Sequence, residues 1–172
     1  MSGNAPLSIA WGRREGNAPL DVGRSLSTLR GQKGEAEVLQ AFDARGVAGP
    51  RHVTSAYLHM QRALTTGRTR LRDHGAILAV YLAGTDQLER ALGRVGLQAD
   101  TREIVLVRSP AGELSEVLRS LGFSASPPQE AQGPTEETLR RLGIDVPASG
   151  GVPRERWELL VLEQTAMVDL PR

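Results

Sequence analysis

The sequence predicts an α/β (α+β) fold in a single domain over residues 1–172. Two observations predict the class: runs with the apolar character of strands are interleaved with runs of helical period, and Gly or Pro stands at most changeovers. A third sets the domain number, since 172 residues with 40% hydrophobic side chains suit one compact core. Phe, Trp and Tyr supply only 3% of the chain, so aliphatic side chains must do the packing.

Residues 1–36 carry the least pattern. Leu7, Ile9 and Trp11 alternate with small or polar residues, the period of a short half-exposed strand. GNAPL occurs at 3–7 and again at 16–20 and reads as a repeated loop element, two copies being too few for a solenoid. The stretch 24–35, rich in Gly, Ser and Arg, reads as a loop or a weak helix. VLQAFDA, beginning at Val38, alternates as an edge strand does, with Val38, Gln40 and Phe42 on one side. After a turn at 46–50, Pro50 suits a first helical position, because its missing N–H costs nothing there. Val53, Ala56, Tyr57, Met60, Ala63 and Leu64 follow at helical spacing as far as Gly67.

ILAVYLA, residues 77–83, is apolar throughout and predicts a strand buried on both faces, ended by Gly84 with Thr85 offering an N-cap. Leu88, Ala91, Leu92 and Val95 make the buried stripe of the next helix, closed by Gly96. EIVLVR, 103–108, predicts a third strand. Pro110 then opens a helix with Leu114, Val117, Leu118 and Leu121 inward and Gly122 as its stop. Residues 122–134 are a linker by composition, and a short helix capped by Thr135 runs to Leu142 and Gly143. PASGGVP forms a second joint. Residues 153–168 predict a C-terminal helix with Trp157, Leu160, Val161, Gln164 and Met167 or Val168 inward, although LLVLEQTAMV also suits a strand in part.

The charges nearly cancel, 21 Lys and Arg against 20 Asp and Glu, so net charge alone does not hold the protein on nucleic acid or membrane and any such contact needs a local patch. With no cysteine there is no disulfide framework, thiolate metal site or cysteine nucleophile. MSGNAPLSIAWGRREG lacks the charged start and apolar run of a signal peptide, and the apolar run 77–83 falls far short of the roughly 20 residues that span a bilayer. The expectation is a cytoplasmic protein without membrane contact.

No Walker loop, GxGxxG, GxSxG, HExxH or EF-hand pattern occurs, which points to a non-enzyme without cofactor or metal. His52 and His59 lie two helical turns apart, roughly 10 Å, too far to share one ion. With Ser55, Arg62 and Thr66 they form a polar stripe opposite Val53, Tyr57 and Met60, either a contact face for a partner or RNA or the solvated side of the helix. Arg62, Arg68, Arg70 and Arg72 cluster in QRALTTGRTRLRDHG, three of them in a loop where guanidinium groups can pair bidentately with phosphates. The same run also suits a solvated charge cluster or the negative end of the helix, and no aromatic is interleaved to stack bases. Asp86 and Glu89, with Asp73, could be imagined as an acid-base pair, but acids near a helix N-terminus are favoured by the dipole alone.

The order VLQAFDARGVAG, RHV, SA, an amphipathic helix, ILAVYLAGTDQLERALGRVGL and then EIVLV resembles the kinase-binding subunit of KEOPS, the TPRKB family, in its archaeal form. The likeness runs from about Val38 to Leu121, with a further echo in LLVLEQTAMVDL. It is carried by Ala48 and Gly49 with His52 and Ala56, then by Tyr81 and Leu82 with Gly84, Gln87, Leu88 and Ala91. The resemblance implies a small mixed β-sheet flanked by helices, in a non-catalytic subunit that binds the N-lobe of the atypical KEOPS kinase/ATPase and stimulates it. Through that kinase it would join the rest of KEOPS, which makes threonylcarbamoyladenosine in tRNA; archaeal members also hold the tRNA 3′ CCA end.

On this resemblance Gln87, Leu88 and Ala91, with Leu162 and Met167, are candidate kinase contacts. His52, His59, Arg62, Arg68, Arg70 and Arg72 are candidate tRNA contacts. Two residues depart from the family pattern: Asp86 stands where a basic residue is common, and Ile77 where a glutamate is often found. Asp86 would weaken an RNA contact at its position, for which the arginine loop can compensate. The alternatives are an independent RNA-binding module acting through Arg62, Arg68, Arg70 and Arg72, and a small metabolic enzyme, for which no nucleophile or cofactor loop is visible.

Overall fold

The computed structural model describes residues 6–128, 133–145 and 151–170. The fold is mixed α/β, and the chain divides into two compact units, Met1–Ala44 with Leu97–Pro127 and Arg45–Gly96 with Pro128–Arg172.

The first unit is built on four strands, β1 (Ser8–Arg13), β2 (Val38–Asp43), β3 (Glu103–Ser109) and β4 (Ser124–Ser126), in the order β2-β3-β1-β4. Every pairing is antiparallel, with Trp11 opposite both Val105 and Ser126, and Ala41 opposite Leu106. The sheet is therefore not mixed. The resemblance implied a mixed sheet, and the strand expected at 77–83 is not part of it, because those residues are helical.

Two helices cover one face of this sheet, α1 (Val22–Lys33) and α5 (Ser115–Ser120). Leu39, Ala41, Ile104 and Leu106 meet Leu29, Leu114, Val117 and Leu118 there, with Phe123 closing the cluster. Of the two readings of 24–35, loop or weak helix, the helix is the one found: Asp21 accepts from the Arg24 amide as N-cap, and Val22, Leu26 and Leu29 turn inward at helical spacing. Pro110 does not open α5. Glu113 does so instead, its carboxylate accepting from the amides of Leu114 and Ser115. β4 lies within the expected linker at 122–134, of which 129–132 are outside the described residues.

The second unit contains α2 (Pro50–Thr66), α3 (His74–Ala83), α4 (Leu88–Val95), α6 (Glu136–Arg141) and α7 (Trp157–Met167), the last entered through a 3-10 turn at Arg154–Arg156. α2, α3 and α7 pack on one another, and α4 packs on α3. The expected strand ILAVYLA is the body of α3, with every residue from 77 to 83 buried. A helix covered on all sides needs no polar face, so it leaves no helical period in the sequence. Asp73 starts it by accepting from the Ala76 amide at 2.8 Å, and Gly84, at φ 63°, ends it in the left-handed conformation that glycine adopts without strain.

α4 buries Ala91 and Val95, but Leu92 is 45% exposed and does not belong to the inward stripe. Thr135 and Thr138 form a reciprocal cap at the start of α6. α7 turns Trp157, Val161 and Thr165 inward, and Gln164 donates to the Leu142 carbonyl at 2.8 Å. Of Met167 and Val168, either of which was expected inward, Met167 is 61% exposed and Val168 is half-buried. Most of the PASGGVP joint lies outside the described residues. No helix among the described residues is long and apolar enough to cross a membrane.

Candidate functional site

An open cleft of about 760 Å³ lies within the second unit. The chain leaving α2 at Gly67 runs without regular structure to Asp73 and lays Arg68 and Arg70 along the cleft. α3 contributes Ile77, Val80 and Tyr81, the start of α4 contributes Asp86 and Leu88, and the turn after α7 contributes Val168, Asp169 and Leu170. An apolar surface thus meets two arginines and two aspartates.

Asp169 joins two side chains of the second unit, Tyr81 and His59. One carboxylate oxygen accepts the Tyr81 hydroxyl at 2.6 Å, and the other lies 2.5 Å from His59 Nδ1, whose N–H donates to it. The rings of His59 and Tyr81 stack with centroids 5.8 Å apart. Burial acts to raise the Asp169 pKa, but the hydrogen bonds from Tyr81 and His59 and the charge of Arg68 prevail and hold it below the usual carboxylate value. Burial, with the hydrogen bond and charge of Asp169, pushes the Tyr81 hydroxyl up. Both Asp169 oxygens are engaged, so this group fixes the wall of the cleft and is not poised to take a substrate proton.

His52 has a different role from the one expected of it. It is fully buried, its Nδ1 accepts from the Ala48 amide at 3.1 Å, and its Nε2–H donates to the Leu82 carbonyl at 2.9 Å. That pairing requires a neutral ring, and burial lowers the pKa to about 4 despite the opposing hydrogen bond to Leu82. His52 cannot touch tRNA; it clips the start of α2 to the end of α3. Gly49, at φ 146°, gives the chain the backbone conformation needed just ahead of that clip.

Of the other expected tRNA contacts, His59 is half-buried in the Asp169 network, while Arg62, Arg68, Arg70 and Arg72 are exposed. Only Arg68 and Arg70 of these line the cleft; Arg72 does not. Of the expected kinase contacts, Gln87 is exposed at the N-cap of α4, Leu88 is half-buried in the cleft, Leu162 is half-buried on α7, and Met167 is exposed. Ala91 is fully buried and cannot be a contact, so it serves packing. Sequence reasoning missed Tyr81 as a polar anchor and missed Asp169 and Leu170 altogether. The signal available for Asp169 was a lone acid directly after an apolar helix.

Among the described residues no three His, Asp or Glu side chains converge as a metal site. Asp73, imagined as part of an acid-base pair, is spent on the cap of α3. The cleft sets the guanidinium groups of Arg68 and Arg70 beside Ile77, Val80 and Leu88. No protein-family model matches the chain, and no curated protein sequence matches it.

Proposed function

We propose that this chain is a non-catalytic accessory subunit of KEOPS that binds its atypical kinase/ATPase, stimulates it, and helps recruit the tRNA 3′ CCA end for threonylcarbamoyladenosine modification in the cytoplasm. The observation that supports this best is that one cleft gathers Leu88, from the residues expected to meet the kinase, with Arg68 and Arg70, from those expected to meet tRNA. Exposed apolar side chains on neighbouring elements are a second support: Leu92 on α4, Leu159 and Met167 on α7, and Leu170 beyond it. A stimulating subunit has only to bind the active conformation of the kinase better than the inactive one, for which a rigid surface suffices. The buried α3 and the His52 clip supply such rigidity.

Size-exclusion co-elution with the kinase tests the first half. Leu92→Glu and Met167→Glu should each weaken co-elution while leaving the unfolding midpoint within about 2 °C of the parent. A parent protein that runs separately from the kinase at micromolar concentration would remove the kinase half of the proposal. The position of Arg68 and Arg70 in the cleft also favours a second possibility, an RNA-binding module acting alone. Binding of intact tRNA against tRNA trimmed of its 3′ CCA end, at two salt concentrations without kinase, separates the two.

A further inference from the structure

We propose that a pocket of the first unit binds a hydroxyl-bearing phosphate monoester, either a free sugar phosphate or the phosphorylated end of an RNA chain. The pocket has a volume of about 410 Å³, within the range of small-molecule sites. The chain between β1 and α1 lines it with Arg14 and Glu15, the first two turns of α1 with Arg24 and Thr28, and the end of α5 with Arg119. Asp21, the N-cap of α1, stands in the lining too. The walls are tied down. The Arg14 guanidinium donates to the Ala18 carbonyl, and Arg102 donates to the carbonyls of Gly16 and Ala18 at 2.7 and 3.1 Å. The Leu20 amide donates to Ala99 at 2.8 Å, so the exposed loop before α1 is held at several points. Across the pocket, Gln32 of α1 donates to the Ser120 hydroxyl at 2.9 Å and fixes α1 against the end of α5.

The charges in the lining specify the ligand. Three guanidinium groups stand against two carboxylates. Asp21 is already engaged, since its carboxylate accepts the Arg24 amide at 2.9 Å and offsets the positive end of α1. Arg14 is engaged with Ala18. Among the described residues, the guanidinium groups of Arg24 and Arg119 make no hydrogen bond or ion pair, and neither does the Glu15 carboxylate. Two unpaired guanidinium groups in one pocket repel each other, and a phosphate monoester, close to a dianion at neutral pH, offsets both through charge-assisted bonds. A carboxylate brings a single charge and leaves the second arginine without an offset. Glu15 can only accept, so the organic part of the ligand has to donate to it, and hydroxyl groups do so.

Amide NMR titration of the full-length protein with ribose 5-phosphate, ethyl phosphate and ribose tests this. Ribose 5-phosphate should shift the amides of Arg24, Ser25 and Ser120 to saturation, ethyl phosphate should bind severalfold more weakly, and ribose should shift none of them. Arg24→Gln with Arg119→Gln should weaken ribose 5-phosphate about tenfold or more while keeping the amide dispersion of the sheet. Glu15→Gln should erase the margin between ribose 5-phosphate and ethyl phosphate. Arg68→Ser with Arg70→Ser, in the second unit, should change none of these results. A short 5′-phosphorylated RNA oligonucleotide separates the two sources. If it binds at these amides more tightly than ribose 5-phosphate, the ligand is an RNA end, and if less tightly, a free sugar phosphate; either result supports the site. The proposal is overturned if ribose 5-phosphate moves no amide around the pocket at millimolar concentration, if the double arginine variant binds it equally well, or if ethyl phosphate binds the parent as tightly.

Discussion

Acidification should destabilise this protein through His52 at a pH where most carboxylates are still ionised. The ring is fully buried and must be neutral to accept from Ala48 and donate to Leu82, and its folded pKa is about 4 against an ordinary value of 6.5. Because the folded pKa is the lower one, the contribution is complete above the unfolded value and is lost as the pH falls through the window from 6.5 to about 4. A gap of about 2.5 pH units at about 1.36 kcal/mol each gives about 3 kcal/mol in the acid limit, of which about 2 kcal/mol is gone by about pH 5. Urea unfolding of the parent and of His52→Gln, each at about pH 7.5 and about pH 5, isolates this contribution. The variant starts less stable by about 1–3 kcal/mol for its imperfect hydrogen bonds, but the parent should lose about 2 kcal/mol more than the variant across the pH step. Equal losses, or a His52 ring that titrates by NMR near its ordinary value, would refute the buried neutral clip.

Other perturbations have equally definite outcomes. Gly84→Ala forces a side chain into the left-handed region with its Cβ 2.6 Å from Gln164 Cγ, and displacing Gln164 breaks its bond to Leu142, so thermal or urea unfolding should register a loss of about 2–3 kcal/mol. Asp169→Ala should cost about 1–3 kcal/mol and move the Tyr81 ionisation, followed by ultraviolet absorbance, back toward the ordinary phenol value. Since the Asp169 pKa is lowered in the fold, the advantage of the parent should be present above the ordinary carboxylate range and vanish as the pH drops through the lowered value. Arg68→Ser with Arg70→Ser should lower the unfolding midpoint only slightly, through the lost Arg68 charge beside Asp169, and make tRNA affinity less dependent on salt, by about one to two in the log–log slope.

Helices α2 and α4 were legible in the sequence because each kept a polar face. α2 shows this in Val53, Ala56, Tyr57 and Met60, all buried at helical spacing, with Pro50 and Gly67 at its ends. β2 and β3 were legible for a related reason, short apolar runs between turn signals. α3 was not, because a run buried on every side looks the same as a strand covered on both faces. The cue that separates them is distance, since Asp73 and Gly84 bracket ten helical residues, longer than a usual strand. α1 was obscured by Gly23 and Gly31, which lower helix propensity, while the packing of Leu26 and Leu29 on the sheet outweighs that cost.

The candidate site divided along similar lines. Arg68 and Arg70 could be placed because charged loop residues stay in solvent whatever the fold does. His52 was misplaced because a polar residue on the outward stripe of a helix reads as solvated, and nothing local reveals that Leu82, thirty residues later, returns to meet it. Asp169 was invisible for the same reason: its meaning depends on His59 and Tyr81, and only tertiary packing joins the three. Of the residues on which the resemblance was drawn, Ala48, His52 and Leu82 form one hydrogen-bonded unit.

The most direct test of the accessory-subunit proposal is ATP turnover by the purified KEOPS kinase, measured alone, with this protein, and with this protein plus tRNA. Turnover should rise severalfold on adding the protein and rise again with intact tRNA but not with tRNA lacking its 3′ CCA end. Turnover that is the same in all three mixtures, with the kinase active in a control reaction, would contradict the proposal.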